Sequence, residues 1–353
     1  MKNEVNRILI YRIGNLGDTV CAIPAMVAIR QRFPYATILL LTNKETMGNP
    51  DAEEVLKGND FIDEIITYDP AKLKNIGYLK EFIKKFRLLQ IDLFVYLSLS
   101  ESTHMRLIRD WVFFSLLGCK RRVGFKLPKL IDTRRVKGIE IPIFPQEVDR
   151  LMSLLIPLGV DTSNIDFRLP IKDDDKRNVD ILWNEYNLKD KNPIIVICPG
   201  AKFPAKQWDV QRFAEVISVL REMFNAKIIL IGGHGDKKTA EEIIKKTRNS
   251  IVNLTGTTTY MESAEILGRC DLLISNDCGP VHLAAAVGTP VVGIYSSRSY
   301  PGLWHPWGKI HTILRNDTLP CRFCFRIECE TKECINSITP EQVVVACRKY
   351  LKV

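Results

Sequence analysis

The stretch that decides the fold is residues 275–295, Ser275-Asn276-Asp277-Cys278-Gly279-Pro280-Val281-His282-Leu283-Ala284-Ala285-Ala286-Val287-Gly288-Thr289-Pro290-Val291-Val292-Gly293-Ile294-Tyr295. It predicts a strand, a polar turn, a helix, a short Gly-Thr-Pro connection and then a second apolar strand. Strands that alternate with helices are typical of a mostly parallel sheet covered by helices. This stretch therefore indicates an α/β protein.

The polar turn in this stretch is a candidate phosphate site. It sets Asp277, Cys278 and Gly279 at a helix N-terminus, where free N–H groups and the helix dipole favour an anion. Gly279 allows a close backbone approach to a ligand, and His282 lies one turn further on. The alternative is an ordinary N-cap aspartate, a turn glycine and a surface histidine.

Composition indicates a globular protein of two domains. The chain has 353 residues, of which 46% are hydrophobic and 26% charged. No run of eighteen apolar residues occurs, so no membrane-spanning helix is expected. Residues 1–7 lead into a strand without the apolar core of a signal peptide, which predicts a cytoplasmic protein.

A formal net charge of +9 favours anionic partners, whether nucleic acid, a membrane surface or phosphorylated substrates. The cations are concentrated in residues 120–137, where Asp132 is the one acid; they are Lys120, Arg121, Arg122, Lys126, Lys129, Arg134, Arg135 and Lys137. A solvated basic loop is the alternative interpretation. No zinc finger, RNA-binding aromatic signature or basic zipper accompanies these cations, so we expect no nucleic-acid partner.

The strand and helix patterns divide the chain into two α/β series. Residues 8–13, 36–41, 64–68 and 93–97 are predicted strands, with helices at 19–32 and 79–89. Pro24 falls early in the first of these helices. A helical segment is predicted around 181–186, and a second series then begins with a strand at 193–198 and is completed by strands at 272–275 and 291–295. We therefore predict a first Rossmann-like domain at 1–165, an interdomain region at 166–192, a second Rossmann-like domain at 193–338 and a C-terminal helix at 339–353. Two such domains would face a central cleft and bind ligands at their strand ends.

The first strand–helix turn contains Gly14-x-x-Gly17-Asp18. It is not the dinucleotide G-x-G-x-x-G, because the spacing differs and an acid follows directly. A pyrophosphate would meet Asp18 unfavourably, whereas a substrate hydroxyl could lose its proton to this carboxylate. The alternative is that Asp18 caps the following helix.

Two loops of the second domain also follow predicted strands. The loop 198–208 contains Gly200 and Lys206, and the lysine could neutralise a diphosphate leaving group. The loop 231–236 contains glycines and Asp236, which could accept hydrogen bonds from ribose hydroxyls. The alternatives are exposed loop lysines and a plain tight turn.

Four of the ten cysteines form the spacing C-x2-C-x4-C-x4-C, at Cys321, Cys324, Cys329 and Cys334. This spacing allows a structural zinc site, reduced thiols or disulfides. Disulfides would not suit a cytoplasmic protein.

Missing motifs weaken several enzyme classes. H-E-x-x-H, Walker A and G-x-S-x-G are absent from the sequence. We recognise no D-x-D motif of the kind that holds a metal-bound nucleotide sugar either. A sugar transferase with this sequence would neutralise its leaving diphosphate with Lys206 and helix N–H groups. A nicotinamide oxidoreductase and a non-catalytic nucleotide-sugar binding protein are the rival interpretations.

Three motifs together resemble the bacterial heptosyltransferases, glycosyltransferase family 9. They are residues 8–18 with Pro24-Ala25, Pro199-Gly200-Ala201 with Lys206-x-Trp208, and Asn276-Asp277-x-Gly279-Pro280-x-His282 with the following Leu283-Ala284-Ala285-Ala286. Arg122-Val123-Gly124-Phe125, Val148-Asp149-Arg150 and the late cysteines are also similar. The resemblance extends in order over nearly the whole chain.

This resemblance implies a GT-B fold and an inverting, metal-independent transfer of heptose from ADP-heptose to the lipopolysaccharide inner core. It implies Asp18 as general base and Lys206 as the lysine that contacts the phosphates. The implied donor-binding residues are Gly200, Asp236, Asp277, Cys278, Gly279 and His282, of which Asp236 is a looser counterpart. Cys278 stands where the family often has a small hydroxyl residue.

The resemblance implies that the domain at 1–165 binds the acceptor and the domain at 193–338 binds the nucleotide-sugar donor. For the acceptor, we expect contacts from Gly17, Arg121, Arg122 and Arg134. The acceptor would be an anionic lipopolysaccharide core at the inner membrane surface, which makes the protein cytoplasmic and peripheral. No cofactor is expected for catalysis beyond the possible structural zinc. Members of the family that use another nucleotide sugar are the alternative.

Overall fold

A computed structural model describes residues 5–44, 52–97, 104–119, 121–125, 143–189, 191–247 and 251–351. The chain divides into two compact units. The first comprises residues 1–141 and 147–170, and the second comprises residues 142–146 and 171–353.

The first unit contains a five-stranded sheet in the order β3-β2-β1-β4-β5, in which every neighbouring pair is parallel. The strands are β1 (Arg7–Tyr11), β2 (Thr37–Asn43), β3 (Glu64–Tyr68), β4 (Leu93–Tyr96) and β5 (Arg121–Val123). The helices are α1 (Leu16–Arg32), α2 (Ala52–Leu56), α3 (Ile76–Leu88), α4 (His104–Leu116) and α5 (Glu147–Ser153).

The second unit contains a six-stranded parallel sheet in the order β11-β10-β9-β6-β7-β8. The strands are β6 (Ile194–Cys198), β7 (Lys227–Leu230), β8 (Val252–Asn253), β9 (Leu272–Asn276), β10 (Val291–Ile294) and β11 (Thr312–Leu314). The helices are α6 (Asp173–Glu185), α7 (Val210–Phe224), α8 (Lys237–Thr247), α9 (Tyr260–Gly268), α10 (Gly279–Ala286), α11 (Glu333–Asn336) and α12 (Pro340–Cys347).

The central strands are mostly apolar because helices cover both faces of a parallel sheet, and β9 ends with the buried polar residues Ser275 and Asn276. All five residues of β6 and of β9 are buried. The core of the second unit joins these strands to α7 and to α12, whose Val343 and Cys347 pack with Ile217 of α7. The C-terminal helix is therefore part of this core.

Several element boundaries differ from the predicted ones. We predicted that the strand at 291–295 completes the second sheet, and this was wrong, because β11 adds a further parallel strand beside β10. The helix predicted at 19–32 begins at Leu16, so Pro24 lies in its middle rather than near its start. The helix predicted around 181–186 begins at Asp173, because three successive aspartates stabilise its N-terminus.

No helix of the described residues is long and apolar enough to cross a bilayer.

Candidate active site

Two loops meet at the carboxyl edge of the second sheet. Strands β6 and β9 are parallel neighbours, so the loop after Cys198 and the turn after Asn276 leave the same edge. The Asn276 side chain joins them: its Nδ2 donates to Pro199 O at 2.6 Å, and its Oδ1 accepts from Trp208 N at 3.2 Å. This buried amide therefore fixes the two predicted donor loops against each other.

The turn after β9 is the start of α10, and its N-cap is Cys278 rather than Asp277. The Cys278 side chain makes no capping hydrogen bond. Its sulphur instead lies 3.1 Å from Ser275 Oγ and 3.6 Å from Cys198 Sγ. The contact with Cys278, together with burial, raises the pKa of the Cys198 thiol, which keeps that thiol neutral. Gly279 is the first residue of the helix, so α10 begins without a cap from Asp277.

Asp277 forms an ion pair with Lys206, with 2.6 Å between the lysine Nζ and Oδ2. Both side chains are largely buried, at 13% exposure for Lys206 and 6% for Asp277. Lys206 ends a short 3-10 turn, Pro204–Lys206, that follows β6. The structure thus brings together the lysine and the acid that the sequence predicted for the donor site.

Arg298 adds a second cation beside Lys206, and the sequence reasoning missed it. Its guanidinium lies 4.9 Å from the ring centre of Phe203, and Lys206 Nζ lies 5.7 Å from the same ring. The carbonyl groups of Phe325 and Arg326 hold it at 2.8 and 2.6 Å. The available signal was its position just after β10, since strand ends carry ligands in such sheets. This edge therefore carries Lys206 and Arg298, with Lys202 Nζ 5.8 Å from the same ring, beside the carboxylate of Asp277.

His282 is buried on α10, and its ring meets Trp304 edge-on at 6.3 Å. The neighbouring His305 accepts a hydrogen bond from Gly302 N at 3.2 Å. Burial, reinforced by the charge of Arg315, lowers the pKa of His305 to about 4. His305 is therefore neutral at physiological pH.

Gly200 and Asp236 lie against each other. A Cβ atom on Gly200 would come within 2.3 Å of the Asp236 Cγ, so a side chain at 200 would displace the Asp236 carboxylate. Asp236 Oδ2 accepts a hydrogen bond from Gly233 N at 2.9 Å. Burial raises the pKa of Asp236. The structure thus places the predicted ribose acid beside the first donor loop.

In the first unit, Asp18 lies in the first turn of α1, just after β1 and next to Gly17. Its Oδ2 accepts a hydrogen bond from Asn15 N at 2.9 Å, and its Oδ1 lies 3.3 Å from an Arg12 guanidinium nitrogen. Gly14, with φ +144°, leaves room for this carboxylate, since a Cβ there would meet the Asp18 Cβ at 2.3 Å. The Asp18 carboxylate therefore accepts a hydrogen bond at the N-terminus of α1, and 16% of the side chain stays exposed.

Arg12, Glu147 and Arg150 form a buried charge network behind Asp18, which the sequence reasoning also missed. Glu147 is 1% exposed and lies 3.2 Å from Arg12, itself 1% exposed. Arg150 donates to both Glu147 oxygens, at 2.7 and 2.8 Å. Arg12 also donates to the Asp18 carbonyl at 3.2 Å. The orientation of Asp18 thus depends on a chain of alternating charges.

Of the predicted acceptor residues, Arg121 and Arg122 lie on β5. Arg121 is exposed, whereas the Arg122 guanidinium lies over the ring of Trp111 at 4.6 Å. Arg134 lies outside the described residues, as do the other predicted cations of this stretch, Lys120, Lys126, Lys129, Arg135 and Lys137.

The late cysteines do not support the zinc prediction. Cys321, Cys324, Cys329 and Cys334 are all described, and all are free thiols. Among the described residues, no three His, Cys, Asp or Glu side chains come together as a possible metal site. The spacing fits zinc, but two of the cysteines are exposed, two are partly buried, and the four do not come together as a metal site.

Comparison with known proteins decides the family. The family model for glycosyltransferase family 9 (heptosyltransferase) matches residues 116–335, more than half of the chain. This chain belongs to glycosyltransferase family 9. This match confirms the resemblance that the sequence motifs indicated, and the protein is a glycosyltransferase.

One curated relative matches this family 9 chain along its length. Lipooligosaccharide heptosyltransferase 2 of Campylobacter jejuni is 26% identical over 362 aligned positions, which cover 98% of each chain.

Two solved structures share the fold of the family 9 chain. A family 9 glycosyl transferase from Veillonella parvula has a TM-score of 0.74 at 22% identity, covering 99% of this chain and 98% of that one. The E. coli ADP-heptose lps heptosyltransferase II has a TM-score of 0.67 at 20% identity, covering 98% of both. The predicted GT-B type fold, with two Rossmann-like parallel sheets, is confirmed.

Proposed function

We propose that this glycosyltransferase moves heptose from ADP-heptose to the inner core of lipopolysaccharide, at the cytoplasmic surface of the inner membrane. The names of the similar Campylobacter and E. coli proteins support the sugar, the donor and the acceptor. The observation that carries the proposal is the ion pair of Lys206 with Asp277 beside the uncapped start of α10.

On the donor side, the diphosphate lies over the first N–H groups of α10 at Cys278 and Gly279 and against Lys206. Helix N–H groups and a lysine together can stabilise the charge that develops on a leaving diphosphate. Asp236 accepts from the ribose hydroxyls beside Gly200, and His282 lies one turn along the helix. This chemistry needs no catalytic metal, because the lysine and the helix N–H groups supply the positive charge.

On the acceptor side, Asp18 is the general base. The acceptor oxygen attacks the anomeric carbon and gives its proton to the Asp18 carboxylate. The bond from that carbon to the diphosphate breaks at the same time, and ADP departs with the electron pair, so the configuration at the carbon inverts. Gly17, Arg121, Arg122 and Arg134 hold the anionic acceptor.

The test is thermal stabilisation of the protein by ADP, UDP, GDP and NAD at matched concentrations, with and without EDTA. A ligand that binds only the folded state raises Tm. We expect a selective ADP shift that survives EDTA and that Lys206→Met reduces. The matched control is Lys202→Met, which removes a neighbouring loop lysine.

The other outcomes contradict specific parts of the proposal. A selective UDP or GDP shift would keep the transferase and discard the ADP-linked donor. A shift with NAD alone would favour an oxidoreductase. Binding of ADP without turnover of ADP-heptose would indicate a non-catalytic protein that binds a nucleotide sugar.

A further inference from the structure

Helix α4 carries a continuous row of exposed apolar side chains. Met105, Ile108, Val112 and Leu116 follow one another at spacings of three and four, which places them on one face of a helix. Trp111 borders this face, and the exposed fractions of the five residues run from 46% at Leu116 to 76% at Met105. We call these five residues the α4 row.

The opposite face of α4 is already used by the core. Leu107, Asp110, Phe114 and Leu117 are buried, and Phe114 stacks on Phe94 of β4 at 4.2 Å. The buried face of α4 therefore packs against the sheet, and the α4 row is apolar surface that this packing leaves exposed. Exposed apolar side chains that stand singly are ordinary, whereas a connected apolar surface marks an interaction site.

The surroundings of the α4 row are basic. The elements that border it, α3, α4 and β5, contain eight Lys and Arg residues against two acids, Glu81 and Asp110. Asp110 is buried, and its carboxylate accepts hydrogen bonds from Arg109 at 2.7 Å and from the Tyr96 hydroxyl at 2.6 Å. These three elements therefore carry more cations than anions, and Asp110 pairs with Arg106 and Arg109 of its own helix.

Two arginines hold the row in place. The Arg122 guanidinium lies over the Trp111 ring and bonds to Ser115 Oγ, so it stacks on the row itself. Arg87 of α3 donates to Leu116 O at 2.8 Å at the far end of the helix. Apolar side chains rimmed by cations match an anionic bilayer, with acyl chains beneath phosphate groups.

We propose that the α4 row docks this protein on an anionic phospholipid surface. The inference rests on the proposed function, because a lipid-linked acceptor is presented at such a surface. Strand β4, which precedes α4, is the parallel neighbour of β1, which leads to Asp18. The docking helix therefore follows a strand whose carboxyl end lies at the same sheet edge as the proposed base.

A second copy of the chain is a poorer occupant of the same surface. Two copies facing each other through the α4 row would bring two sets of cations together. Like charges held close across an interface oppose association. Charge complementarity therefore favours the anionic lipid.

The test measures co-sedimentation of the full chain with vesicles of phosphatidylcholine, with and without phosphatidylglycerol. The variant is Ile108→Gln with Val112→Gln, which changes two outward positions of α4. The matched control is Ile181→Gln with Val345→Gln, which removes comparably exposed residues from α6 and α12. Thermal melting checks that both variants fold, and no nucleotide is present.

We expect binding that requires phosphatidylglycerol and weakens with salt, because salt screens the cations. The α4 variant should bind these vesicles about 10- to 100-fold more weakly, whereas the control should bind like the unmodified protein. Turnover of a water-soluble acceptor fragment by the α4 variant should be unchanged, since neither residue is in the proposed machinery. The vesicle assay needs neither donor nor acceptor, so its result is independent of the ADP test.

Equal vesicle binding by the α4 variant and the unmodified protein would overturn the proposal. So would an unmodified protein that stays in solution with anionic vesicles. Light scattering that shows a dimer, converted to a monomer by the α4 variant, would assign the row to a second copy instead.

Discussion

Replacing Asp18 separates catalysis from helix capping, because its two oxygens have different partners. One accepts the Asn15 N–H at 2.9 Å, and the other lies 3.3 Å from Arg12. Asp18→Ala removes both contacts, whereas Asp18→Asn keeps one oxygen as an acceptor. If Asp18 is the base, both variants lose the group that takes the proton.

The magnitudes distinguish the two roles. Loss of an N-terminal capping contact costs about 1 kcal/mol. Removal of one partner from a buried charge costs about 3–5 kcal/mol, but Arg12 keeps Glu147 at 3.2 Å, which reduces that cost. We therefore expect Asp18→Ala to lose about 2–4 kcal/mol of unfolding free energy, and Asp18→Asn about 1–2 kcal/mol. General-base catalysis contributes about 10²–10⁴-fold in rate, or about 3–5 kcal/mol.

The assay is kcat with saturating ADP-heptose, well below the melting temperature of both variants, with urea unfolding in parallel. We expect kcat to fall about 10²–10⁴-fold in both variants, while the unfolding free energy falls more in Asp18→Ala. Asn15→Ala is the control, because it alters the N-cap residue but keeps the carboxylate and the backbone N–H. An Asp18→Asn variant that retains kcat within about tenfold of the unmodified enzyme would refute the assignment.

Three further perturbations test the surrounding structure. Glu147→Gln leaves two arginines with one carboxylate fewer in a buried network and should lower the unfolding free energy by about 3–5 kcal/mol; a loss below about 1 kcal/mol in urea titration would contradict this. Gly200→Ala would place a Cβ within 2.3 Å of Asp236 Cγ, so the carboxylate must move and ADP affinity, measured by calorimetry, should fall about tenfold; unchanged affinity would remove Asp236 from the donor site. Burial lowers the pKa of His305 to about 4 in the folded protein, whereas the same side chain has a pKa of about 6.5 in the unfolded chain. As the pH falls, the unfolded chain therefore takes up the proton before the folded protein does. Stability should therefore fall as pH drops from about 6.5 toward 4, and urea midpoints of His305→Gln should depend less on pH over that interval; equal slopes would contradict the buried neutral histidine.

The parallel sheets and the α10 turn could be predicted because they depend on local pattern. Apolar runs such as β6 and β9 are buried on both faces, and the helices between them keep a regular apolar period. The edge strand β11 could not be predicted this way. It has only three residues, which are too few to show an apolar run or an alternation in the sequence. Each of them is also only partly buried in the structure.

The charge networks could not be predicted because their partners are far apart in sequence. Arg12 stands inside an apolar strand segment, and nothing local indicates that its partner is Glu147. The cysteine cluster fails for the opposite reason, since its spacing suggests a ligand set that the backbone does not assemble. Spacing limits which residues can meet, and the loop conformation decides whether they do.

The pairing of Lys206 with Asp277 has a consequence for donor binding. With 2.6 Å between its charged atoms and little solvent, the pair already neutralises the lysine, and Arg298 is a further cation near Phe203. A diphosphate bound to Lys206 would meet the Asp277 carboxylate, which repels it, and Arg298, which attracts it. Asp277→Asn should therefore free Lys206 and tighten binding of ADP alone, while Arg298→Met should weaken it. If Asp277→Asn weakened ADP binding instead, the carboxylate would be needed to hold the lysine in position rather than to balance its charge. Calorimetry of the two variants with ADP separates these roles, because the direction of the change in Kd differs between them.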